Sequence, residues 1–130
     1  MFANKFTAIA TALIAASAAV SAAPGIVFDP PITAPTAGQV WTIGSTQTVT
    51  WDTTNIPEGS LNQTGLILLG FIEDGSDNEH LDTQNPLAAN FPIVAGSVSV
   101  EVPDVTPRDD YVVVLFGDSG NTSPKFTITN

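Results

Sequence analysis

The stretch Pro35 to Trp51, PTAGQVWTIGSTQTVTW, constrains this chain more than any other, and it holds both tryptophans of the protein. Pro35-Thr36-Ala37-Gly38 is a turn, Val40-Trp41-Thr42-Ile43 a short strand, and Gly44-Ser45 a second turn. Gln47 to Trp51 then alternates, with Val49 and Trp51 on one face and Thr48 and Thr50 on the other. That is the pattern of a half-buried strand. Trp51 therefore reads as a core residue. Trp41 is left as the candidate aromatic contact with something outside the protein.

Further along, Gly65 to Ile72 (GLILLGFI) and Tyr111 to Phe116 (YVVVLF) are continuous apolar runs bounded by turn residues, as strands buried on both faces are. Ser97 to Val102 and Lys125 to Thr129 alternate. Leu87 to Val94 carries Pro92 and reads as an irregular edge, and Gly25 to Phe28 as a short edge strand before Pro30. Asp52 to Thr64, Glu73 to Asn85, Pro107 to Asp110 and Gly117 to Pro124 read as turns or loops. No segment after residue 23 sustains a helical period. The expectation is an all-β chain: an Ig-like or fibronectin-type antiparallel β-sandwich of about seven strands, spanning residues 25–130. With no cysteine it lacks the inter-sheet disulfide. Tyr111 stands where a tyrosine corner would, and a plain core tyrosine fits equally well.

The first segment is a different kind of sequence. Lys5 followed by an uncharged, Ala-rich run and small residues at Val20 to Ala23 reads as a secretory signal peptide over residues 1–22, cut after Ala22 or Ala23. The run is short of the ~20 residues a membrane helix needs. Cleavage removes Lys5 and leaves Arg108 and Lys125 as the cations against thirteen acids. So acidic a chain cannot neutralise phosphates, which argues against nucleic acid, and anionic membranes would repel it. Secretion without cysteine leaves the apolar core to hold the domain.

Motifs for chemistry are weak. Gly117-Asp118-Ser119-Gly120 resembles a serine-nucleophile motif, but the one histidine, His80, lies in an acidic loop, and such clusters also make hairpin turns. Glu73, Asp74, Asp77, Glu79, His80 and Asp82 do not have the spacing of an EF-hand, and a single histidine does not make a usual zinc or copper site. No catalytic residue, metal ligand or cofactor is expected. Asn62-Gln63-Thr64 and Asn121-Thr122-Ser123 are N-glycosylation sequons in turns. Asn62 is the expected acceptor; Asn121, whose sequon is followed by Pro124, is expected to be used less.

A longer pattern carries a resemblance. It runs Pro35-x-x-Gly38-x-x-Trp41-x-x-Gly44, Val49-Thr50-Trp51, Leu66 to Leu69 and Leu87-Ala88-x-Asn90. It continues with Gly96-x-Val98-x-Val100-x-Val102-Pro103, Asp110 to Val114, and Asn121-x-Ser123-Pro124-x-Phe126-x-Ile128. In order and spacing this resembles the N-terminal Ig-like domain of fungal Kre/Knh cell-wall synthesis proteins, a domain also found in Ser/Thr-rich, GPI-anchored surface proteins. The resemblance implies a secreted β-sandwich tied to fungal wall organisation, in yeast to β-(1,6)-glucan assembly. It brings no catalytic motif. The sequence shows no Ser/Thr-rich stalk, C-terminal basic domain or hydrophobic tail after the last strand, so no membrane anchor is expected. The expected function is a small secreted, non-catalytic domain that binds a wall glycan or wall protein. Its rivals are a released, effector-like protein recognising another surface and, last, a secreted hydrolase. The sequence leaves the oligomeric state open.

Overall fold

A computed structural model describes residues 30–117 and 119–130. The segment read as a signal peptide, the Gly25 to Phe28 run and Asp118 lie outside these residues. The described chain forms nine strands in two sheets. They are β1 (Ile32–Ala34), β2 (Val40–Thr42), β3 (Thr46–Trp51), β4 (Thr64–Phe71), β5 (Ala88–Pro92), β6 (Ser97–Glu101), β7 (Arg108–Phe116), β8 (Gly120–Thr122) and β9 (Phe126–Thr129). One sheet is β1-β3-β6. The other runs β2-β9-β7-β4-β5, with β8 also on β7. All pairings are antiparallel except β2 with β9. This is the Ig-like sandwich the alternation called for.

The core lies between the sheets. Val49 and Trp51 of β3 and Val100 of β6 bury against Ile67 and Leu69 of β4, Tyr111, Val113 and Leu115 of β7, and Phe126 and Ile128 of β9. Each is the inward member of an alternating pair, as a sheet with one buried face requires. In β4 and β7 the other face is buried too, at Leu68, Val112 and Val114. The connection from β4 to β5 accounts for part of that cover. It folds back along β4, with Phe71 N–H donating to the Glu79 carbonyl and Asp82 N–H to the Leu69 carbonyl, both at 2.9 Å. The approach at Gly70 is so close that a Cβ there would sit 2.1 Å from the Glu79 carbonyl oxygen.

Two segments read as turns contain strand. Arg108 to Asp110 opens β7, where Arg108 pairs with Ile128 and the register shifts before Tyr111 pairs with Phe126. Asp109 and Asp110 there oppose Thr127 alone, a bulge, and its charged composition hides it from pattern reading. Gly120 to Thr122 forms β8 on the far end of β7. Between β8 and β9 the ladder breaks at Pro124, which has no N–H to donate. Ser123 mends the gap: its N–H donates to the Val113 carbonyl at 2.9 Å and its Oγ accepts from Val113 N–H at 3.0 Å. That explains a buried serine in an apolar sheet.

Tyr111 resolves as a tyrosine corner, its hydroxyl donating to the Thr106 carbonyl five residues upstream. Trp51 is anchored as well as buried, its Nε1 donating to the Ile93 carbonyl at 2.8 Å.

Candidate functional site

The candidate surface aromatic is overturned. Trp41 is 0% exposed. Its ring packs on Phe126, centroids 4.6 Å apart, because β2 lies beside β9 with Trp41 level with Ile128. It is a core residue and offers nothing to an outside partner.

A concavity lies instead at the Phe71 end of β4. It is a cleft of about 520 Å³ whose lining includes Phe71, His80, Asp82, Asp104, Arg108 and Tyr111. Four segments meet there: the end of β4, the start of β7, and the loops before β5 and β7. The bulge at the start of β7 sits beside it, where a shifted register re-aims side chains.

Phe71 organises the wall. The His80 ring lies flat on it, centroids 4.2 Å apart and planes within 3° of parallel. The Arg108 guanidinium carbon stands 4.0 Å from the same ring centre. Two groups that close cannot share one face of a phenyl ring, so Phe71 is held between imidazole and guanidinium. A cation over an aromatic face contributes roughly 0.5–1 kcal/mol at a partly exposed site.

Each member is tied down. Arg108 donates two hydrogen bonds to Asp110, Nε to Oδ1 at 2.7 Å and Nη2 to Oδ2 at 2.8 Å. Glu73 lies 3.7 Å from the same guanidinium. These hydrogen bonds hold the Asp110 carboxyl below its usual range and push Arg108 above its own. Burial raises the Tyr111 phenol. His80 Nδ1 lies 3.0 Å from the Phe71 carbonyl. A carbonyl only accepts, so Nδ1 carries the proton in this contact. The His80 backbone has φ 43°, a left-handed conformation steadied by its N–H donating to Asn78 Oδ1 at 2.9 Å.

The acids do not converge. Asp82 Oδ1 accepts from the N–H groups of Gln84 and Asn85, Glu79 Oε2 accepts from the Thr122 hydroxyl at 2.6 Å, and Asp74 stands 3.4 Å from Lys125 Nζ. Among the described residues no group of three or more His, Asp or Glu is placed to hold a metal ion. Asp104 has no hydrogen bond or ion pair with another described residue and is the free carboxylate of the cleft. Ser119 lies in the short loop between β7 and β8, closed by Gly117 N–H to the Ser119 carbonyl at 3.0 Å, which is the hairpin reading of that motif.

The two sequons fare differently. Asn62 is exposed just before β4, and Thr64 is the exposed first residue of that strand. Asn121 is half-buried on β8 and its Nδ2 donates to the Pro30 carbonyl at 2.8 Å.

Composition pointed to none of the Phe71, His80, Arg108 column, because its members lie far apart in the chain. The one available signal was a lone histidine and a lone arginine, each in a loop rich in acids. No curated protein and no solved structure matches the chain at a significant level. Residues 34–128, nearly all of the described sandwich, match the Kre9/KNH-like N-terminal Ig-like domain, and the chain belongs to that family.

Proposed function

We propose that this domain is a secreted, non-catalytic binding module of the fungal wall or its surrounding matrix, and that it meets a wall polysaccharide in the cleft beside Phe71. The family is linked to fungal cell-wall glucan synthesis, which supplies the setting. The observation that carries the reading is the cleft itself, of a size ordinary for small-ligand sites and walled by a fixed aromatic–cation column. Asp104 offers an uncommitted acceptor for sugar hydroxyls. Both faces of Phe71 are covered, so recognition would go through polar groups and ring edges. The acidic chain disfavours anionic ligands.

The non-catalytic part of the reading rests on His80. Its Nδ1 donates to a backbone carbonyl, which leaves Nε2 as the basic nitrogen, and no hydroxyl of a described residue is hydrogen-bonded to that ring. Recognition of another organism's surface through Trp41 loses its anchor with the burial of that ring.

Retention of the purified protein on insoluble fungal β-glucan and chitin tests the proposal. Binding is expected, with Asp104→Asn weakening it while leaving thermal stability unchanged. No retention at any pH would sink the glycan reading and leave a wall protein as the partner to seek.

A further inference from the structure

We propose that Asn62 carries an N-linked oligosaccharide in the folded protein, that Asn121 does not, and that this oligosaccharide screens the exposed apolar side chains of Leu61 and Val94. The sequence presents two equivalent-looking sequons; the fold makes them unequal.

At the first site the backbone is fixed but the acceptor is free. Asn62 follows the short 3-10 turn Glu58–Ser60, and Gln63 N–H donates to the Ser60 carbonyl at 3.1 Å. Asn62 itself is exposed, and its side chain bonds no other described residue. Thr64, the hydroxyl residue of the sequon, is exposed too. At the second site both functional groups are spent. Asn121 Nδ2 donates to Pro30, and Ser123 is 5% exposed, with its hydroxyl accepting from Val113 N–H and donating to the Pro124 carbonyl. An oligosaccharide on Asn121 would have to be built where β8 meets the chain before β1.

The surroundings give the first site a purpose. Leu61 is 46% exposed and Val94 43% exposed, both large apolar side chains left in water. Ile93 N–H donates to the Gln63 carbonyl at 3.0 Å, which brings the Ile93–Ala95 turn alongside the sequon. Leu61 adjoins Asn62 in the chain, and Val94 follows Ile93 on the neighbouring turn. A bulky, hydrophilic substituent on Asn62 would screen them from other molecules. The cleft is remote from it: Asn62 precedes β4, whereas Phe71 ends that strand, and the seven steps from Thr64 to Phe71 alone span about 23 Å at about 3.3 Å per residue. The oligosaccharide would thus leave the cleft open.

The transfer is an ordinary substitution. The Asn62 amide nitrogen bonds to the anomeric carbon of a lipid-diphosphate-linked oligosaccharide. The bond from that carbon to the diphosphate oxygen breaks, the lipid diphosphate leaves, and the amide proton passes to a base of the transferase.

The test is expression of the full chain in a fungal secretory host. Glycopeptide mass spectrometry of the wild-type protein reads both sites without any variant. Occupied Asn62 and unmodified Asn121 are expected; an empty Asn62 or an occupied Asn121 in the folded fraction overturns the assignment. Asn62→Gln is then expected to raise retention on a hydrophobic-interaction column, and adding Leu61→Ser and Val94→Ser to it should reverse the increase. Unchanged retention for Asn62→Gln overturns the covering role even if the site is occupied.

Discussion

The two tryptophans allow one substitution to be tried in two settings. Trp51 Nε1 donates to the Ile93 carbonyl at 2.8 Å inside the core. Trp41 Nε1 is equally buried but has no hydrogen-bond partner among the described residues. Each ring also packs on a phenylalanine, Trp51 on Phe91 at 5.3 Å and Trp41 on Phe126 at 4.6 Å. Replacing either by Phe deletes the same pyrrole atoms, so the loss from transfer and packing is similar, on the order of 1–3 kcal/mol. The polar contributions have opposite signs. Trp51→Phe removes a buried hydrogen bond worth about 1 kcal/mol and leaves the Ile93 carbonyl only the longer bond from Gly96 N–H at 3.3 Å, whereas Trp41→Phe removes an uncompensated donor and recovers about 1–3 kcal/mol. The Trp51 variant is therefore expected to be less stable than the Trp41 variant by about 2–4 kcal/mol. Urea unfolding followed by intrinsic fluorescence measures this directly, since each variant keeps one tryptophan as its reporter. With a mid-range slope of about 2 kcal/mol per molar, the midpoints should differ by about 1–2 M. If Trp41→Phe is as damaging as Trp51→Phe, the unpaired donor is not a liability and the reasoning fails.

Three other outcomes follow from close contacts and charges. Gly70→Ala places a Cβ against the Glu79 carbonyl and should cost about 1–3 kcal/mol, seen as a lowered melting temperature; an unchanged one would mean the covering loop moves freely. At His80, where φ is 43°, the Gly variant should be more stable than the Ala variant by about 1 kcal/mol, since both lose the stack but only Ala retains the left-handed strain; urea midpoints in the reverse order would refute this. Asp110 has a depressed folded pKa, so its contribution is complete above the unfolded value of about 3.9 and is lost as pH falls through the folded value. Asp110→Asn should therefore flatten the acid limb of melting temperature against pH, and parallel curves would contradict it.

Much of the fold was legible because burial imposes a period. β3, β6 and β9 each hide one face, and alternation marked them. β4 and β7 hide both faces over most of their length, and continuous apolar runs marked those. Illegible parts are places where another interaction supplies what the pattern lacks. Arg108 to Asp110 looks like a turn because it is charged, yet Arg108 satisfies Asp110 within the strand. Gly120 to Thr122 looks like a turn because it is Gly- and Asn-rich, yet Thr122 pairs with Val114 of β7. The three-residue β2 is too short for its own alternation to orient Trp41, so only the parallel pairing with β9 places that ring inside. The cleft depends on residues 71, 80, 104 and 108 meeting from four separate segments, which no local pattern records.

The tyrosine corner joins the two levels. In cysteine-bearing Ig domains this tyrosine stands two residues before the second half-cystine. Two residues after Tyr111 comes Val113, fully buried in the same core cluster as Val49. Each buried valine contributes about 1.5–3 kcal/mol, so aliphatic packing here can match the roughly 2–4 kcal/mol a disulfide would supply. Packing, unlike a covalent bridge, does not pin the loop that enters β7. The bond from the Tyr111 hydroxyl to the Thr106 carbonyl does so, and Asp104, Val105 and Thr106 of that loop line the cleft. The same contact thus serves the sandwich and the site. Tyr111→Phe should cost about 1 kcal/mol in stability. If Asp104 contacts the glycan, it should also weaken glycan retention under conditions where the variant is fully folded. Retention unchanged in a folded Tyr111→Phe protein would separate the corner from the cleft and leave it a purely structural device.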